Sequence, residues 1–79
     1  MPTSRDKTRA VFLAYEAESL LRRGEIDHSA VTAHQALLLA QRIGASRCIR
    51  QINDLTPSFQ PHQAVQDVKQ FLNTVRSTT

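Results

Sequence analysis

The chain contains only two glycines, Gly24 and Gly44, and each closes a run of apolar residues spaced as on a helix. Glycine adopts the left-handed backbone required just past a helix end at no steric cost. The pair therefore punctuates the chain into helical lengths. Prolines add only three more breaks, Pro2, Pro57 and Pro61, which is too few for a turn-rich β fold.

Four helices follow from this punctuation. The first is predicted over residues 5–23, with Thr3 or Ser4 as its cap and a capping-box-like spacing from Thr3 to Asp6. Ala10, Leu13, Ala14, Ala17, Leu20 and Leu21 form its apolar stripe. The second spans 27–43 with Asp27 as N-cap, and Ala30, Ala33, Ala36, Leu37 and Ala40 as a stripe narrow enough for another backbone to approach closely. The third spans 46–55, opened by Ser46, with Ile49, Ile52 and Leu55 on one edge. Thr56–Gln60 is read as a linker, because Pro57 disfavours helix at Thr56, with Phe59 anchoring it to the core. The fourth spans 61–76, with Pro61 in its first turn and Ala64, Val65, Val68, Phe71, Leu72 and Val75 as its stripe. Ser77–Thr79 is read as a frayed tail. Short connections favour antiparallel neighbours.

Seventy-nine residues make one small all-α domain, 1–79, which hides only about 60% of its unfolded surface. With 41% hydrophobic and 22% charged residues, disorder is excluded. The lone cysteine, Cys48, excludes an internal disulfide and a cysteine zinc cluster. The polar start lacks the apolar stretch of a secretory signal, and the longest apolar runs are far shorter than the roughly 20 residues of a membrane span. These features place the chain in the cytoplasm, away from membranes.

The residues argue against catalysis. His28, His34 and His62 share no metal-ligand spacing, Glu16 and Glu18 point apart on their helix, and no nucleotide-binding motif occurs. Cys48 beside Arg47 and Arg50 has the setting of a lowered thiol pKa, although an incidental cysteine is the simpler reading. No cofactor, metal or small-molecule substrate is expected.

From Ala14 to Ala40 the pattern resembles a tetratricopeptide repeat (TPR), a helix–turn–helix of about 34 residues. The resemblance is carried by Leu13, Ala17 and Leu20, the turn Gly24-Glu25-Ile26-Asp27, and Ala33, Ala36, Leu37 and Leu39. Glu16, Ser29 and the stretch Ile43–Ser46 depart from the repeat, which usually has a large apolar residue, an alanine and a proline signal there. The whole layout, from Arg5 to about Val75, is similar to the C-terminal TPR region of bacterial regulators that carry an N-terminal helix–turn–helix domain. That resemblance implies a non-catalytic module binding a protein or peptide partner, or a second copy of itself. Its matched first-helix positions imply Val11, Tyr15, Glu18 and Arg22 as partner contacts; a solvated face is the plainer alternative for Glu18 and Arg22.

Direct DNA binding is the competing reading. Leu39–Arg47 reads like the start of a helix–turn–helix, and no carboxylate lies between Asp27 and Asp54 while Arg42, Arg47 and Arg50 do. The core register opposes it. The positions six and nine after the turn glycine are Arg50 and Asn53, while the apolar Ile49 and Ile52 sit one step away, about 100° around the helix.

One further feature exceeds a plain bundle. Val11, Phe12 and Tyr15 lie opposite the alanine stripe of the first helix, so that helix is apolar on two sides. Either the closing helix covers them or another chain does. The shortness of the sequence then reads as the end of a larger array or half of a dimer, with Val11, Phe12 and Tyr15 marking the joint.

Overall fold

In the computed structural model, residues 2–77 are described, with side chains from Asp6 onward. The chain is all-α: α1 (Pro2–Arg22), α2 (Ile26–Ile43), α3 (Ser46–Asn53), the one-turn α4 (Thr56–Phe59) and α5 (Gln66–Ser77), with a 3-10 turn at Gln60–His62. No strand occurs among the described residues.

Both glycines end helices as predicted, Gly24 at φ +82° and Gly44 at φ +70°. Each builds a paired C-terminal cap. Glu25 N–H donates to Leu20 C=O at 3.0 Å and Gly24 N–H to Leu21 C=O at 3.1 Å; Ala45 N–H donates to Ala40 C=O at 2.8 Å and Gly44 N–H to Gln41 C=O at 3.3 Å. These bonds satisfy carbonyls that the helix ends leave orphaned.

The helix starts differ from the expected ones. α1 begins at Pro2, so Thr3 and Ser4 lie inside its first turn, and their side chains fall outside the described residues. Glu25, not Asp27, holds the N-cap position of α2; Asp27 stands in the first turn and accepts the His28 N–H at 2.9 Å. Ala45 takes the N-cap position of α3, one residue before Ser46. At Gly24 and Gly44 the C-terminal cap of one helix runs straight into the next, and neither Glu25 nor Ala45 makes a side-chain cap bond.

The largest correction concerns the prolines. The segment read as a linker is helical. Pro57 and Pro61 each sit in the first turn of a short helix, where a missing N–H costs nothing. α3 stops at Asn53 and α5 starts only at Gln66, not at 61. Ala64, assigned to the closing stripe, is exposed in the turn before α5. Ser77, assigned to the tail, belongs to α5 and its hydroxyl donates to Asn73 C=O at 3.0 Å; Thr78 and Thr79 lie outside the described residues.

The core has two textures. Between α1 and α2 it is almost entirely alanine: Ala10, Ala14, Ala17, Ala30, Ala33, Ala36 and Ala40 are all fully buried. The Ser29 hydroxyl donates across this seam to Ala17 C=O at 2.6 Å. The bulk lies on the other side of α2, where α3, α4 and α5 contribute Ile52, Phe59, Val68, Phe71 and Leu72 around Leu37. Phe59 does anchor its segment, meeting Phe71 edge-on with ring centroids 5.2 Å apart. The His34 Nε2 and Thr74 hydroxyl are 2.9 Å apart and tie α2 to α5. The same hydroxyl lies 3.1 Å from Gln70 C=O, so Thr74 meets both its own helix and α2. The body measures 39 × 26 × 17 Å.

Candidate functional site

α1 spends one face on α2 and leaves the opposite face open. α5 packs on α2 and does not cover the second apolar side of α1: Phe12 is 69% exposed, Tyr15 59% and Val11 38%. Exposure of two aromatics on one helix face is unusual, since large rings are costly to leave in water. Thr8 and Ser19 continue the same strip, both exposed.

Beside the strip runs a groove of about 790 Å³, with α1 as one wall and the α2–α3 turn and start of α3 as the other. Val11, Phe12 and Tyr15 form the first wall, and Ala45, Cys48 and Gln51 the second. Lys7 and Arg47 are its charged residues, one on each wall. The sequence pattern does not place Ala45, Cys48 and Gln51 beside α1, because their nearness arises only from packing α3 back against it.

Cys48 is 3% exposed, and burial pushes its thiol pKa up from the ordinary value of 9.0. This overturns the setting of an activated thiol. Arg47 and Arg50 stay at the surface, while Cys48 is buried in the groove wall and the loss of water around its thiol penalises the thiolate. The groove therefore holds no ready nucleophile in Cys48.

The remaining predicted contacts fall elsewhere. Glu18 and Arg22 pair with each other at 3.0 Å and border a separate hollow with Leu21, Ile26, Leu55 and His62. Arg42, in the last turn of α2, borders a third hollow with Asp6, Arg9 and Leu38. Arg47 lines the α1–α3 groove instead, and Arg50 lies in the last turn of α3. The three arginines thus do not converge on one groove, and Arg42 and Arg50 complement helix C-terminal dipoles where they stand. Among the described residues no group of three or more His, Cys, Asp or Glu side chains gathers as a metal set. No helix is long and apolar enough to cross a membrane.

No protein-family model matches the chain, and no curated protein or solved structure matches it either.

Proposed function

We propose that this protein is a non-catalytic protein–protein interaction module that binds through the open face of α1 and the adjoining groove. The observation that carries this reading is the exposure of Phe12 and Tyr15 beside an apolar groove of about 790 Å³. Two rings of about 150–250 Å² each, more than half exposed, leave an apolar patch that association would remove from water. Polar and charged rim residues, among them Lys7 and Arg47, supply orientation.

The similarity of the layout to the C-terminal TPR region of bacterial helix–turn–helix regulators supports a role within a transcriptional regulator. The alanine-lined hairpin, short helix and closing helix are the features that support it. A single buried thiol with no disulfide fits a reducing compartment, so the proposal places the chain in the cytoplasm.

A photo-crosslinking residue at position 12 tests the reading, with one at exposed Asn73 on α5 as control. Discrete adducts at position 12 that vanish with Tyr15→Glu are expected. Equal labelling at both positions, or none at position 12, overturns it.

A further inference from the structure

Resting on that reading, we infer that the occupant of the α1 face is a second copy of this chain, with the two α1 helices packed antiparallel. The exposed strip Thr8, Phe12, Tyr15 and Ser19 has spacings of four, three and four, the repeat of a coiled-coil seam. It carries no charge. It is also self-complementary, because the pairs Phe12/Tyr15 and Thr8/Ser19 share one midpoint. A two-fold axis through that midpoint sets Phe12 against Tyr15 of the second copy, and Thr8 against its Ser19.

The flanking charges agree with the same axis. In an antiparallel pair, each flank of a helix meets the same flank of its mate. Lys7, at the groove, and Glu18, at the next hollow along α1, lie on one flank of the strip, whereas Arg9 and Glu16 lie on the other. Cations stand toward the N-terminal end on both flanks, and carboxylates toward the C-terminal end. The two-fold therefore brings Arg9 beside Glu16 of the second copy, and Lys7 beside its Glu18. The axial offset is about 3 Å at ~1.5 Å per residue, within reach of these side chains. A parallel pairing would instead set each flank against the opposite one, bringing Arg9 beside Lys7 of the second copy and Glu16 beside its Glu18. Within one chain Arg9 and Glu16 are about 10.5 Å apart along the helix, too far to pair, and neither holds an ion pair among the described residues. Glu18 uses one carboxylate oxygen, Oε1, on Arg22, which leaves Oε2 for Lys7.

Light scattering of the full chain from micromolar to millimolar concentration tests the assignment. The wild type is expected at twice the chain mass of 8.9 kDa, and Phe12→Glu at the chain mass with its helical circular dichroism intact. Arg9→Glu and Glu16→Arg singly are expected to raise the dimer dissociation constant roughly tenfold, since each contact occurs twice per dimer. The double variant Arg9→Glu/Glu16→Arg should restore it. A wild type that stays at the chain mass throughout, or a dimer indifferent to the single charge reversals, overturns the antiparallel pairing. A monomer that still crosslinks from position 12 to a different protein would overturn the second copy as occupant and leave the interaction module standing. A monomer with no adduct at position 12 sinks both.

Discussion

Replacing Phe59 with alanine should bring this protein close to unfolding at room temperature. The ring is fully buried and packs edge-on against Phe71 at 5.2 Å. A buried aromatic hides about 150–250 Å², worth about 4–6 kcal/mol at ~25 cal/mol per Å². Alanine keeps a small part of that, and the edge contact is lost as well. The surrounding α4–α5 turn relaxes only in part, which places the expected cost at about 3–5 kcal/mol. A chain of this length has a total stability of about 4–12 kcal/mol. The conservative Phe59→Leu keeps most of the buried volume and should cost about 1–1.5 kcal/mol. Urea unfolding followed by circular dichroism reads both. With a slope near 1 kcal/mol per M, the alanine variant should lose about 3 M in midpoint or show no folded baseline. A loss under 1 kcal/mol for Phe59→Ala would refute the reasoning. It would mean that the proline-bearing segment is a dispensable connection after all, and that Phe71 finds other cover.

Three further outcomes are expected. Gly44→Ala should cost about 1 kcal/mol in thermal or urea unfolding: a Cβ there meets nothing within 4 Å, so only the left-handed backbone at φ +70° is penalised, and an unchanged midpoint would contradict this. Thr56→Val should be neutral or stabilising by up to about 1 kcal/mol, since the Thr56 hydroxyl is buried without a hydrogen-bond partner, and clear destabilisation would show that it has one. Cys48 should react slowly with thiol reagents when folded and quickly in urea. Because burial raises its folded pKa, the stability it contributes is complete below the unfolded value of 9.0 and declines as pH rises toward and through the folded one; Cys48→Ala should flatten that alkaline decline.

Much of the helical body could be read directly from residue order. The two glycines mark helix ends because nothing else tolerates φ +82° and +70° so cheaply, and the alanine stripes of α1 and α2 are the buried ones. Helix starts were harder to read. Asp27 and Ser46 have cap chemistry, yet the paired backbone bonds at each glycine already set the path into the next helix. Pro57 was ambiguous for a physical reason: the same ring that breaks a helix interior is well placed in a first turn, and only the need to seat Phe59 against Phe71 decides between them. For the site, the helical wheel placed Val11, Phe12 and Tyr15 on one face. It could not show that Ala45, Cys48 and Gln51 form the opposite wall, nor that Glu18 and Arg22 turn toward a different hollow. Those depend on where α3 and α4 land.

The alanine seam between α1 and α2 makes the molecule's tolerance for change one-sided. With side chains this short, the gap between the two helices is set by backbone meeting methyl group. Nothing larger fits without prising the hairpin open. A serine at position 29 is accommodated only because its hydroxyl finds Ala17 C=O. Substitutions along this seam can therefore shrink but not grow. Any bulkier replacement would tilt α1 relative to α2 and, through the turn at Gly44, reset the width of the groove from a distance. Variation at Ala14 or Ala33 would thus register in the groove, although neither residue touches solvent.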